Sequence, residues 1–253
     1  MKQNMMRKPQ AFTRIELALV ICVTLLLVGG ILPHLLKAKS AAQRISCVNN
    51  LRQIAQAYRV WAGDHDDCNP AEQTAARGGW RDYLTNADQG AICWTNYVIM
   101  CNELGQNPNP LICPADERHA AADFGSHFKD NTHISFFVGI SANNTYPQSI
   151  QGGDRNLGNG PQAYRDYGFS PKSGKGNDVA VETNSSFKPV SWSIKMHSAG
   201  NGLGAGNILL GDGSAQQTTS AHFRQDWLIH AEPTTNWPAG HVPATPSIRL
   251  VFP

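Results

Sequence analysis

The chain has 253 residues and a formal net charge of +2, with a mean hydropathy of −0.33. That length suits one domain with a real core, or two small ones, and so small a charge excludes a strong pull toward nucleic acid. A negative mean alongside a long apolar run leaves a distinctly polar remainder, as expected of a loop-rich domain tethered to something hydrophobic.

Residues 1–11 read MKQNMMRKPQA, with Lys2, Arg7 and Lys8 and no acid. From Leu17 to Leu36 the sequence LALVICVTLLLVGGILPHLL carries no formal charge. At about 1.5 Å per residue it covers the ~30 Å core of a bilayer. A basic head on such a run predicts a membrane helix with a cytoplasmic N-terminus, although Lys37, Lys39 and Arg44 beyond it are also basic. A secretory signal peptide cut near Ala38 to Ser40 is one reading, and an uncleaved anchor is another. Neither accounts for Glu16, because an acid at the edge of a membrane segment is costly and is a functional candidate by default.

The stretch AFTRIE (11–16) followed by the apolar run resembles the class III signal of type IV prepilins and type II secretion pseudopilins. The resemblance implies cleavage between Ala11 and Phe12 by a prepilin peptidase/N-methyltransferase, with methylation of the new N-terminus. Glu16 becomes the fifth mature residue, the family's glutamate position, and Pro33 the twenty-second, where many members have proline. The resemblance links Glu16 to subunit recruitment, through a carboxylate facing a neighbour's N-terminal amine. Ala11 stands where the family usually has glycine, and Arg14 replaces a usually apolar residue; it could pair with Glu16 or reach headgroups.

Beyond Pro33, Ala41, Ile45, Val48, Leu51, Ala55, Tyr58 and Ala62 recur at helical spacing, with Arg52, Gln53 and Arg59 on other faces. One long helix is expected from about Arg14 to Trp61, ended by Gly63 and the DHDD run. Gly29, Gly30 and Pro33 mark its weak point, where a kink or loosened turn is expected. Asp64, Asp66 and Asp67 are weak candidates for calcium, since they lack the twelve-residue EF-hand pattern and a solvated helix end explains them. No other cofactor is expected.

Of the six cysteines, Cys22 lies in the apolar run, and no CxxC pair occurs, which argues against a zinc ribbon. An oxidising compartment makes one or two disulfides plausible. Cys93–Cys101 is the short-loop candidate and Cys47–Cys113 the long-range one; the connectivity stays open.

The rest reads as short strands split by Gly, Pro and Asn: HISFFVGI (133–140), VSWSIKM (190–196), NILLGDGSAQQTT (207–219) with an Asp-Gly turn, and SIRLVF (247–252). The stretches 63–91 and 141–189 look irregular. CVNNLRQ, LICPAD, SFFVG, YPQSIQGGDRNL and the His197…Asp212-Gly213 segment also resemble, in order, pilin-like proteins of planctomycetes and verrucomicrobia. Fourteen residues separate His197 from Asp212, where that family usually has nine.

Other chemistry is weakly supported. GNGLGAG (200–206) fits no phosphate-loop register and reads as a flexible hairpin loop, and no G-x-S-x-G nucleophile motif is present. His119, His127 and His133 share a region without a metal spacing. Trp80, Trp94, Trp227 and Trp237 could form a carbohydrate-stacking face but are more often core.

The expected fold is therefore α+β and pilin-like, a long N-terminal helix packed on a small antiparallel sheet. Its expected organisation is a leader (1–11), a transmembrane and assembly helix (12–36), an amphipathic continuation (37–62) and a β-rich domain (63–253). The expected function is a non-enzymatic subunit of a type II secretion or type IV pilus-like filament. It would be a single-pass inner-membrane protein with a periplasmic or extracellular domain. Its partners would be other pilin-like subunits, the peptidase, an inner-membrane assembly platform and the lipid bilayer. The alternative is a membrane-anchored glycan-binding domain; an anchored hydrolase is a further rival for which no site is visible.

Overall fold

The computed structural model describes residues 13–84, 93–142, 145–160, 166–183, 189–231, 233–234, 243 and 245–253. Ala11, Phe12 and Trp237 lie outside them. The chain divides into two compact units, the first ending at Ala42 and the second beginning at Gln43.

Helix α1 (Arg14–Gly63) starts in the first unit. Its opening is a capping box. The Thr13 N–H and Oγ1 donate to Glu16 Oε2 at 2.8 and 2.9 Å, and the Glu16 N–H donates back to Thr13 Oγ1 at 3.2 Å. From there Ile15, Leu17, Leu19 to Ile21, Val23 and Leu25 to Val28 are exposed. The helix runs without a break across Gly29, Gly30 and Pro33.

The expectation of a membrane-spanning helix is overturned. Among the described residues no helix is long and apolar enough to cross a membrane. The single-pass inner-membrane placement with its cytoplasmic N-terminus falls with it.

In the second unit α1 becomes one-sided. Cys47, Val48, Leu51, Ile54, Ala55, Tyr58, Trp61 and Ala62 are buried at spacings of three and four, while Arg52, Gln53 and Arg59 are exposed. Two residues with positive φ, Asp66 and Asp67, turn the chain after the helix. The Asp67 N–H closes on Ala62 O at 2.9 Å. Two short helices follow, α2 (Arg81–Leu84) and α3 (Cys93–Ile99).

Among the described residues nine strands come next: β1 (Phe136–Gly139), β2 (Ile150–Asp154), β3 (Leu157–Asn159), β4 (Asn177–Glu182), β5 (Val190–Trp192), β6 (His197–Gly200), β7 (Leu203–Leu210), β8 (Ala215–Thr219) and β9 (Ser247–Phe252). Seven form one antiparallel sheet in the order β4-β9-β1-β2-β7-β6, with β8 also on β7; β3 and β5 pair separately. The unit is thus an α+β assembly of helices and an antiparallel sheet.

Strand alternation sorts the core into two layers. Phe136, Val138, Leu209 and Val251 join the buried face of α1 and residues of α3. Their neighbours Phe137, Ile208, Leu210, Leu250 and Phe252 belong to the opposite layer with Trp192 and Phe223. Both sheet faces are covered, so β9 is buried at every position.

Four strands depart from the sequence expectations. β2, β4 and the short β3 arise from IQGGD, NDVAVE and LGN, which fall in the 141–189 stretch expected to be irregular, and β6 arises from HSAG, where the sequence predicts no strand. The glycine-rich 200–206 segment is mostly strand, entered by a tight turn at Asn201 and Gly202, both with positive φ. Gly206 is needed there, because a Cβ would sit 2.4 Å from the Trp192 ring. VSWSIKM yields only β5, and Met196 has a φ of 64°.

Candidate buried redox and metal centre

The best-developed polar constellation lies on the helix-facing side of the sheet. Asp154 ends β2 opposite Phe136, which packs in the helix-side layer. On β7, Ala205, Asn207 and Leu209 alternate onto that same face, and His197 of β6 pairs with Ala205. Over this row sits Cys47 of α1, bonded to Cys113 with a Cα–Cα distance of 4.9 Å. Cys47, Cys113, Asp154 and His197 are all buried, and their four ligand-capable atoms lie within 4.8 Å of one another.

The carboxylate is tightly held. Asn207 donates to Asp154 Oδ2 from its backbone N–H at 2.7 Å and from Nδ2 at 2.8 Å. His197 Nε2 is 3.4 Å from Asp154 Oδ2 and 3.4 Å from Cys113 Sγ. Arg44 donates to Gly206 O at 3.2 Å and Thr218 O at 3.3 Å. Burial pushes the Asp154 carboxyl up to about 8, against the opposing hydrogen bonds of Asn207 and the charge of Arg44. Burial, aided by Arg44, pushes the His197 imidazole down to about 4. Near neutral pH the two face each other as a carboxylic acid and a neutral ring rather than as an ion pair. Asp154 Oδ1, Asn207 Oδ1, Asn156 Oδ1 and Arg44 Nε have no hydrogen-bond partner among the described residues although buried, which is costly.

A second buried pair stands beside it. Arg155 donates from Nε and Nη2 to the two Asp116 oxygens at 2.7 and 2.8 Å and lies 3.4 Å over the Tyr167 ring. Burial works to raise the Asp116 carboxyl, but Arg155, Ser135 and Arg118 outweigh it and hold it below its usual range. Arg118 gathers the carbonyls of Asn131, Ile134, Pro171 and Pro253.

The residues singled out in the sequence are dispersed. His197 joins the cluster, whereas Asp212 and Gly213 form the β7–β8 turn beyond Leu210, at the far end of β7 from His197's partner Ala205. There Arg59 donates to Asp212 O, and Gly213 has a φ of 75°. Cys93 and Cys101 are not joined: Cys93 is buried, its Sγ 3.6 Å from Phe136 O, and Cys101 is half-buried beside Gln106. The short-loop disulfide expectation therefore gives way to the long-range one. Among the described residues Asp64, Asp66 and Asp67 form no group of ligand atoms within coordinating reach; Asp66 instead faces Arg77 at 3.3 Å. His133 Nδ1 lies 2.9 Å from His119 O, and His127 pairs with Asp123. Trp80 is fully buried, its Nε1 donating to Asn96, so it offers no face to a sugar. An open groove of ≈ 380 Å³ has Asn50, Gln53, Asn107 and Asn109 among its lining residues, with no ionisable side chain.

Sequence reasoning passed over Arg44, Asp116, Asp154, Arg155 and Asn207. The available signal was GGDRN (152–156), an acid and a base directly after two glycines. It reads as a turn unless the glycines are seen as strand residues that let backbones approach. A Cβ on Gly153 would lie 2.7 Å from Asn207 O.

No protein family, curated protein or solved structure matches the chain.

Proposed function

We propose that this chain is a pilin-like structural subunit of a type II secretion or type IV pilus-like filament, and that the first part of α1 packs against the same segment of other copies. The observation that carries the reading is the exposure of that segment. Leu25, Leu26, Leu27 and Val28 follow one another at ~100° steps around the helix, and all are at least half exposed. A helix that is apolar all round is a buried helix, and exposed apolar surface on this scale marks an interaction site. Partners on every side are what a bundle of copies supplies.

The AFTRIE signal supports the same reading through cleavage before Phe12. Glu16 has a local role as well, since hydrogen bonds from the Thr13 backbone and side chain hold its carboxyl below the usual range. The two roles separate by substitution. Glu16→Ala and Thr13→Ala both open the capping box, but only the first removes the carboxylate. If Glu16 serves a neighbouring subunit, Glu16→Ala abolishes assembly and Thr13→Ala leaves it intact; equal defects would reduce Glu16 to a helix cap.

Cys22 supplies the direct test of packing, as it is exposed in the single chain on the segment that would be shared. Oxidation of the assembled protein should yield Cys22–Cys22 dimers that vanish in Cys22→Ala. Absence of cross-linking, with the mature chain starting anywhere but Phe12, would refute the reading.

A further inference from the structure

We infer that Cys47, Cys113, His197 and Asp154 form a zinc site when the disulfide is reduced, so that one junction between α1 and the sheet is locked by a covalent bond in oxidising conditions and by a divalent metal in reducing ones. This site is independent of the filament reading.

Three observations support it. The first is distance. Zinc bonds of about 2.3 Å to sulfur and about 2.0–2.1 Å to nitrogen and oxygen set tetrahedral ligand-to-ligand edges of about 3.3–3.8 Å. His197 Nε2 stands 3.4 Å from Cys113 Sγ and 3.4 Å from Asp154 Oδ2, and all four ligand atoms fall within 4.8 Å. Two thiolates, an imidazole and a carboxylate are ligand types zinc takes.

The second is charge. Two thiolates and the Asp154 carboxylate carry three negative charges; one divalent ion and the Arg44 guanidinium balance them. Arg44 is already in place, donating to Gly206 O and Thr218 O across the same face. The third is the unfinished hydrogen bonding. Asp154 is fully buried, yet its Oδ1 has no hydrogen-bond partner among the described residues, and Asn207 holds Oδ2 from two donors. Such outer support is what orients a metal-binding carboxylate. Cys93 is no competitor, because its Sγ contacts Phe136 O and it lies outside the four-residue group.

The chemistry balances with a phosphine as reductant. One disulfide, one phosphine and one water give two thiols and a phosphine oxide. Each thiol and the Asp154 carboxyl then releases its proton to solvent as its sulfur or oxygen binds zinc, three protons in all.

The test uses the full chain with Cys22→Ser, Cys68→Ser and Cys101→Ser, which removes the exposed and half-buried thiols. After phosphine treatment and desalting, zinc is added, excess is removed, and bound metal and free thiols are counted. One zinc per reduced chain and none per oxidised chain is the expected result. Cobalt(II) added instead should give a thiolate charge-transfer band. His197→Ala and Asp154→Asn, each reduced, should bind zinc at least tenfold more weakly, and Asp154→Glu should retain part of the affinity. Should reduction loosen the fold, added zinc should restore the native circular dichroism. Reduced chain that binds no zinc, binding unaffected by both variants, or a loosened fold that zinc does not restore would each overturn the assignment.

Discussion

The two parts of α1 obey the same helical geometry and meet opposite fates. In the first unit Leu26 is 76% exposed; in the second Leu51 is 1% exposed. The difference is not one of hydrophobicity. In the second unit apolar residues fall on one stripe, and a sheet with matching alternation covers it. In the first they surround the helix, and among the described residues the chain supplies nothing to cover them all. A one-sided stripe is satisfied within a chain, whereas an all-round apolar surface asks for several neighbours. The first layout builds a domain, and the second is best explained by assembly.

The largest effects should come from the buried junction of the second unit. Replacing both Cys47 and Cys113 by Ala opens a loop of 66 residues and should cost about 4 kcal/mol. Arg155→Ala leaves Asp116 buried without its bidentate partner and should cost about 3–5 kcal/mol. Chemical denaturation at fixed pH reads both, and losses near zero would mean that the junction is dispensable.

The next effect is a pH signature. Asp154 has its folded-state value raised to about 8, so between its unfolded value near 4 and pH 8 the folded chain holds the extra proton. Stability from this group is full at low pH and declines as pH rises through that window. His197, lowered to about 4, acts oppositely between pH 4 and 6.5, where the unfolded chain holds the extra proton and stability rises with pH. The two slopes offset below pH 6.5. Above it Asp154 acts alone, at up to about 1.4 kcal/mol per pH unit. Compared with wild type, Asp154→Asn should lose the decline between pH 6.5 and 8. An identical profile in the variant would show that Asp154 is ionised throughout.

Gly206→Ala should cost about 1–3 kcal/mol by overpacking against Trp192, with the disulfide intact. This separates the opposite face of the sheet from the helix-side junction. An unchanged denaturation midpoint would show that Trp192 can move aside.

The contrast within α1 was legible in the sequence, because it rests on side-chain pattern alone. The helix ends came within two residues for the same reason, as did β9, whose SIRLVF carries ordinary strand chemistry, and the Asp-Gly turn. The Thr13–Glu16 capping box was equally legible but lay hidden under the processing signal. What could not be read was any feature depending on close backbone approach. IQGGD has a single β-branched residue, Ile150, and HSAG has none, and they are strands because their neighbours leave room for little else. A Cβ on Gly204 would lie 2.1 Å from Trp192 O. Since Asp154 and His197 ride on those strands, their meeting with Cys47 and Cys113 was invisible too. The sequence offered Cys47–Cys113 as one pairing among others, and only the sheet register places a carboxylate and an imidazole beneath it.

The smallest effect on stability belongs to the exposed half of α1, and it bears most directly on the central claim. Leu19→Lys with Leu26→Lys alters two exposed positions and should leave the melting of the second unit unchanged, because neither residue belongs to that unit's core. Sedimentation velocity of the full-length protein then decides. Wild type should form large assemblies while the double variant sediments as a monomer with the same melting curve. A wild type that stays monomeric across concentration, or a variant that assembles equally well, would contradict assembly through α1.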